Sequence, residues 1–298
     1  MLHGIINVYK EKGYTSHDVV AKLRGITGQK KIGHTGTLDP DAEGVLPVCL
    51  GKATKVSGLL TDKDKSYRAV LLLGVTTDTQ DITGTVTKRC GTDCLCADTV
   101  QTVIREFIGL YEQIPPMYSA LKVNGKKLYE LAREGKTVER KARTVQIYDI
   151  QIIRMELPRI EMEVTCSKGT YIRTLCQDIG DRLGCGGCME SLLRTGSGPF
   201  RIEESYKLDA IREKKEKGEL ESLLVPIDAV FRQYQKIQIE PALEKRLRNG
   251  NMLRIDCRQE KLKDQEYVRI YDSAGNFAAI YKYVETDECF QIVKMFLQ

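Results

Sequence analysis

The sequence predicts an α+β protein with a small β-rich module at its C-terminal end. Apolar runs of strand character alternate with runs of helical period over the first two thirds of the chain. TVQIYDIQIIRM and IEMEVTC follow one another closely enough to pair as neighbouring strands. From about residue 236 the helical period is lost, and EYVRIYD, FAAIYKYV and CFQIVKMFL read as a hairpin plus another strand.

Taken in order, IINVYK is a short apolar strand, and Thr15-Ser16 caps a helix running to about Leu23. KIGHTGTLDPDAEG is a glycine-rich loop leading into VLPVCLG, a buried strand. KATKVSGLLTDKD makes a short helix, and SYRAVLLLGVTT a strand too apolar for an exposed edge. Val103, Ile104, Phe107 and Ile108 lie at helical spacing. Pro115-Pro116 then bars a helix, and Leu128, Leu131 and Ala132 restart one, which makes about 115–143 a projecting arm. In SKGTYIRTLCQDIGDRLG, Ile172, Leu175, Cys176, Ile179 and Leu183 share one helical face, with Gly184 as the stop. REKKEKGELES is a surface helix or loop.

At 298 residues, 42% hydrophobic and 29% charged, the chain can bury a large core without staples. No run approaches the roughly 20 apolar residues that span a bilayer, and the start lacks the pattern of a signal peptide. A cytosolic protein is expected, with its ten cysteines reduced and mostly buried. Cys185 and Cys188 have CxxC spacing, but neither a second such pair nor the group Cys90, Cys94 and Cys96 completes a structural zinc site. The three histidines, His3, His17 and His34, have no ligand spacing. No metal and no cofactor are expected.

Charge is uneven. Lys122, Lys126, Lys127, Arg133, Lys136, Arg140, Lys141 and Arg143 face only Glu130, Glu134 and Glu139, an excess equal to the +5 of the entire chain. Such a run is either a solvated helix face or a surface that tracks phosphates.

Asp39, in GHTGTLDPD, is the acid that needs explaining. The calcium-loop rhythm of Asp39, Asp41, Glu43 and Gly44 fails because Leu50 stands where a bidentate Glu belongs. The phosphate-loop reading of Gly44 to Thr54 fails because six residues separate its glycines and Ala53 follows Lys52. Cys49, inside a buried strand, is a poor nucleophile. Composition alone leaves Asp39 a turn former before Pro40.

Four separated segments add to that. INVYKEKGYTSHDVV, KIGHTGTLDPDAEGVLPVCLGKATK, DKSYRAVLLLG and CSKGTYIRTLCQDIGDRLGCGG together resemble the bacterial tRNA pseudouridine synthase B (TruB) family. The likeness runs to about Phe200 and takes in PPMYSALKVNGKKLYELAREG and RTGSGPF. It implies a pseudouridine synthase fold, with a mixed, mainly antiparallel central sheet flanked by helices. It also implies a catalytic domain over 1–235 and a PUA-like RNA-binding domain over 236–298. Arg246, Arg248 and Arg254 are compatible with the second.

The implied activity is isomerisation of uridine 55 in the tRNA T-arm, by base flipping and without a cofactor. By resemblance Asp39 is the catalytic aspartate, acting at C1′ or C2′, and Arg173 its basic partner. Tyr67 packs on the target base and is implicated in proton removal. His34, Tyr171 and Leu192 are substrate contacts, and the arm, with Lys126, Lys127 and Arg133, is an RNA-clasping thumb. The partner implied is tRNA, with no membrane, no protein partner and a monomeric state.

Two departures stand out. Lys10-Glu11 replaces the family's Lys-Pro, which bears on the N-terminal turn. Leu193-Arg194 replaces an Arg-Arg pair, which removes one phosphate contact. The alternatives are a non-catalytic RNA-binding or RNA-folding protein, with Asp39 only a turn residue, and a pseudouridine synthase with a different RNA target.

Overall fold

The structure is a computed structural model that describes residues 1–123, 125–255 and 262–297. It opens with β1 (Gly4–Lys10), α1 (Ser16–Thr27), β2 (Ile32–His34), β3 (Glu43–Leu50), α2 (Ser57–Thr61), β4 (Lys65–Leu73), β5 (Val75–Thr77) and β6 (Val86–Arg89). Next come α3 (Ala97–Glu106), β7 (Gly109–Gln113), β8 (Lys122–Val123), β9 (Lys126–Lys127), α4 (Leu128–Arg133), β10 (Arg143–Glu156) and β11 (Arg159–Cys166). Then follow α5 (Ile172–Arg182), β12 (Gly187–Ser197), β13 (Phe200–Arg201), α6 (Leu208–Glu216), β14 (Gln235–Gln238), α7 (Glu244–Arg248), β15 (Tyr267–Tyr271), β16 (Phe277–Val284) and β17 (Cys289–Met295).

The central sheet runs β1-β3-β12-β4-β11-β10-β7, with β2 beside β3 and β13 beside β12. The β3/β12 pair is parallel and the other pairs of this sheet are antiparallel, so the sheet is mixed and mainly antiparallel, as expected. One core joins β4, β10 and β11 to α3 and α5 through Leu71, Ile147, Met162, Ile104 and Leu175. A second packs α1 and α6 on β1 and β3 through Leu23, Ile211, Ile6 and Leu46.

The C-terminal sheet runs β14-β15-β16-β17. Phe231, Ile280 and Phe296 pack in one cluster with Ile5, Val45 and Cys49 of the central sheet. Burying each such side chain stabilises by about 1.5–3 kcal/mol, enough for a few of them to fix how this sheet sits. Among the described residues no helix is long and apolar enough to cross a membrane.

Several elements differ from the sequence reading, which assigned no strand to β6, β7 or the central β12. Helix α1 does start at the Thr15 cap, with a capping box to Asp18, but it runs to Thr27. Gly25 is tolerated inside it, and the stop is Gly28 at φ +65°. The expected single strand SYRAVLLLGVTT breaks at Gly74, whose φ is +80° and whose N–H donates to Gly186 O while its carbonyl accepts from Cys90. Strand β14 was not expected, because QKIQ is too short and polar to show a period; it adds in parallel to β15.

Candidate active site

Asp39 lies in the turn between β2 and β3, and the N-terminal region fixes that turn. Leu38 N–H donates to Ser16 Oγ at 2.9 Å, Ala42 N–H to Asp39 O at 3.1 Å and Gly13 N–H to Pro40 O at 2.9 Å. Lys10, fully buried at the end of β1, donates from Nζ to the carbonyls of Ala42, Pro40 and Glu11 at 2.5, 3.0 and 3.2 Å. Glu11, where the resembled family has proline, supplies one of those acceptors and pairs its carboxylate with Lys207 at 3.3 Å. Burial lowers the Lys10 pKa to about 8.

Arg173 sits in the first turn of α5, where a cation opposes the helix dipole, and its own side chain is 6% exposed. Its partners offset both penalties. Nε is 3.0 Å from the Asp39 carboxylate and Nη1 is 3.7 Å from that of Asp81. Nη1 also donates to Thr79 O at 3.1 Å, and Nη2 to Tyr118 O at 2.8 Å. The planar guanidinium thus ties together the Asp39 turn, the 79–81 loop and the base of the arm.

Asp81 is fixed in turn by Thr79 Oγ1 at 2.8 Å and Thr83 N–H at 3.0 Å. Burial is the largest influence on Asp39 and raises its pKa. Arg173 opposes that and Asp81 adds to it, leaving the net direction upward.

A cleft of about 1260 Å³ opens over this pair. Asp39, Tyr67, Tyr171, Arg173 and Leu192 all line it, with Arg133 and Tyr129 reaching in from the arm. Tyr67 is 7% exposed on β4, and burial raises its pKa while Arg194 acts against that. Tyr171 caps α5, its backbone held from both sides by the buried Gln113 amide: Tyr171 N–H donates at 2.7 Å and its carbonyl accepts at 3.0 Å. Leu192 is half-buried in β12.

His34 is outside the lining of this cleft, although its neighbour Gly36 is within it. The His34 ring meets that of His17 edge-on at 5.4 Å, and burial, followed by His17, lowers its pKa. Lys126 and Lys127 form β9 of the arm, also outside the cleft lining. Lys126 pairs with Glu134 at 3.7 Å, whereas Lys127 and Arg133 both lie over the Tyr129 ring, at 5.3 and 5.5 Å.

Sequence reasoning missed Asp81 and the anchoring carbonyls of Thr79 and Tyr118, since nothing in TTDTQDITG or PPMYSA singles them out. It noted Lys10 and Arg194 only as neighbours of departures from a pattern. Lys10 is nevertheless a charge closing the apolar strand IINVYK, and that is the signal that finds it, whereas Arg194 lies in a mixed stretch, GCMESLLRTGS, with no such signal. Arg194 is 1% exposed, so it is not a surface phosphate contact.

Among the described residues no cluster of three or more His, Cys, Asp or Glu side chains is arranged to hold a metal. Cys49 is buried, and burial raises its thiol pKa to about 11.

Residues 24–172 match the model of the TruB family pseudouridylate synthase N-terminal domain, and residues 173–232 that of the tRNA pseudouridylate synthase B C-terminal domain. The tRNA pseudouridine synthase B of Lachnoclostridium phytofermentans is 54% identical over 99% of this chain and 100% of that protein. The protein of the same name from Clostridium tetani is 42% identical over 99% of both chains.

Among solved structures, a chain of a Cbf5-Nop10-Gar1 complex superposes with a TM-score of 0.77 at 28% identity, covering 99% of this chain and 85% of that one. A chain of an H/ACA RNP bound to a substrate RNA containing 2′-deoxyuridine gives 0.75 at 26%, covering 99% and 86%. With both family models matched in sequence order, and relatives aligned along its entire length, this chain belongs to the TruB family of pseudouridylate synthases.

Proposed function

We propose that this protein isomerises uridine to pseudouridine at position 55 in the T-arm of tRNA, with Asp39 acting at C1′ or C2′ of the flipped nucleotide. The observation that carries the reading is the Asp39 carboxylate in an open cleft, 3.0 Å from a buried arginine, with Tyr67 and Tyr171 in the same walls. The names of the relatives support tRNA as the substrate.

The chemistry needs the N-glycosidic bond broken, the uracil turned while held, and C5 joined to the sugar. A carboxylate fixed by a guanidinium can attack C1′ or assist loss of the C2′ proton. Tyr67 offers a stacking face for the base and a hydroxyl for the C5 proton, while Tyr171 and Leu192 bound the space around it. A uridine inside a folded T-arm has to leave its stack to reach Asp39. In this reading His34, beside the cleft, fills the gap it leaves. The arm grips the backbone, with Lys127 and Arg133 on Tyr129 presenting charge and an aromatic face together.

Residues 1–235 act as the catalytic domain and 236–298 as a PUA-like RNA-binding domain, in a cytoplasmic monomer. The test is tritium release from an unmodified tRNA transcript carrying 5-tritiated uridine. Wild-type protein releases it. Asp39→Asn does not, while binding the transcript as tightly. Tight binding without release by the wild type would make this an RNA-binding protein, and release from another uridine would change its target.

A further inference from the structure

Lys10, Lys65, Arg173 and Arg194 are buried cations, whereas Asp272, in the C-terminal part of the chain, is the one buried carboxylate among the described residues. Three of the four cations are well provided for. Arg173 has Asp39 and Asp81, and Lys10 has three carbonyls. Lys65 donates to Thr61 O at 2.6 Å and Lys63 O at 2.5 Å.

Arg194 is different. Its Nε donates to Val45 O at 2.6 Å, its Nη2 has no hydrogen-bond partner, and no carboxylate lies within ion-pair distance of it among the described residues. A buried guanidinium without a counter-charge is costly to keep, and protein interiors rarely keep one without a use.

The group it faces is Tyr67. The two residues are direct partners in the β4/β12 register, and both line the cleft. The guanidinium tip is bounded by Gly36, where an added Cβ would stand 3.6 Å from Nη1. Of the charges acting on the Tyr67 hydroxyl, Arg194 is the strongest. Among the described residues, the other titratable groups around the pair are Lys65, Cys166, Lys10, His34 and Asp39. Glu43, next to Arg194 across β3/β12, is engaged by Tyr9 Oη at 3.2 Å instead.

We propose that Arg194 is a positioning residue for Tyr67: its buried guanidinium holds the phenol oxygen at the cleft and stabilises that oxygen as the anion that removes the C5 proton. This rests on the pseudouridine reading of the cleft. At that step the uracil is already joined to C1′ through C5. The Tyr67 oxygen takes the C5 proton, the C5–H electron pair forms the C5=C6 double bond, and the C6=N1 pair withdraws to N1. N1 takes a proton from water, and the phenol returns its proton to the hydroxide left behind. Burial works against the phenolate, and an arginine keeps its charge at every accessible pH, so it opposes that penalty throughout.

The test uses the full chain and an unmodified tRNA transcript carrying 5-deuterated uridine, in single-turnover assays. A wild type that forms no pseudouridine overturns the function itself, and this proposal with it. With an active wild type, Arg194→Met binds tRNA normally, slows about 10- to 100-fold and shows a larger C5 isotope effect. In a Tyr67→Phe background the same change costs less than about twofold more, because it acts through the lost hydroxyl.

Arg194→Lys keeps the charge only while the buried lysine stays protonated, so its rate relative to wild type falls as pH rises. An unchanged isotope effect in Arg194→Met, or losses that multiply with Tyr67→Phe, overturn the proposal. Should Arg194→Met fail to fold, Arg194→Lys decides: a ratio to wild type that is flat with pH overturns it.

Discussion

Arg173 Nε lies 3.0 Å from the Asp39 carboxylate, and the guanidinium is too buried and too fully engaged to swing away. The direction of Asp39 is therefore set by whatever sets Arg173, and Asp81 is the other charge on that guanidinium. Asp81 also pushes the Asp39 pKa up. Asp81→Asn should lower the single-turnover rate by about tenfold or more, because the carboxylate is less well aimed. It should also move the acid limb of the pH–rate profile to lower pH, because Asp39 then ionises more easily. Rates measured across that limb check both effects; an unmoved limb means that the two carboxylates do not communicate.

Asp39 carries a stability cost of the same origin. Burial raises its pKa above the ordinary 3.8 despite Arg173. An acid raised in the folded state stabilises fully below its unfolded pKa, and that stabilisation is lost as pH climbs through the folded value. At neutral pH the ionised carboxylate then costs some stability, an effect that solvent reduces because 42% of the side chain is exposed to the cleft. Asp39→Asn should melt higher than wild type at neutral pH, with the two converging in acid. Thermal melts at both pH values test this, and a variant that melts lower at neutral pH would show the Arg173 pair to be net stabilising.

Strand and helix periods carried most of the fold, because the core faces of β4, β10, β11 and α5 repeat every two or about 3.6 residues in the chain itself. Asp39 and Arg173 were found by their motifs, yet nothing local to either shows that they meet. That contact requires β3, β12, β4 and β11 to be stacked in order. Asp81 and the Tyr118 carbonyl escaped for the same reason, since their role is a distance across the fold. Arg194 was noted only beside a departure from the family pattern, and its burial depends on Gly44 letting β3 come close.

Lys10 predicts an alkaline loss of activity. Its pKa of about 8 lies below the usual 10.5, so the cost of burying its charge is full below about 8 and is relieved as pH rises. Stability relative to Lys10→Met should therefore increase over that window, while activity falls. The ammonium donates to three carbonyls around the Asp39 turn, and the neutral amine has only two protons to give. Lys65 is lowered to a similar value, chiefly by burial. An alkaline limb near 8 that persists in Lys65→Met and disappears in Lys10→Met assigns it to Lys10; the reverse pattern assigns it to Lys65.

In the arm, the three lysine and arginine candidates should not be equal. Lys126 already pairs with Glu134, whereas Lys127 and Arg133 share the Tyr129 ring, with Arg133 and Tyr129 in the cleft lining. Replacing Lys127 and Arg133 together by alanine should weaken tRNA binding and reduce the slope of log K against log salt by about 1 to 2. Lys126→Ala should change either much less. Filter-binding titrations at several salt concentrations measure both quantities, and equal effects would mean that the Tyr129 contacts do not orient the charges.

Gly44 tests the link between β3 and the buried Arg194. Its φ is +104°, and a Cβ built there would lie 2.3 Å from Arg194 O and 2.9 Å from Arg194 N. The backbone conformation alone costs a non-glycine residue about 1–3 kcal/mol, and the overlap is with main chain that cannot rotate aside. Gly44→Ala must therefore push β3 away from β12, where the two pair in parallel at Glu43, Gly44, Leu193 and Arg194. The melting temperature should drop by roughly 5 °C or more. Activity should fall further than the population of unfolded protein explains, because the same shift moves Arg194 relative to Tyr67 and disturbs the strand that follows the Asp39 turn.

Gly25→Ala is the control. That glycine lies inside α1 with nothing within 4 Å of an added Cβ, so the helix should gain about 0.5–1 kcal/mol. Melting curves and single-turnover rates for the two variants should separate in opposite directions. A Gly44→Ala protein as stable and active as wild type would mean that β3 and β12 can part without disturbing the site.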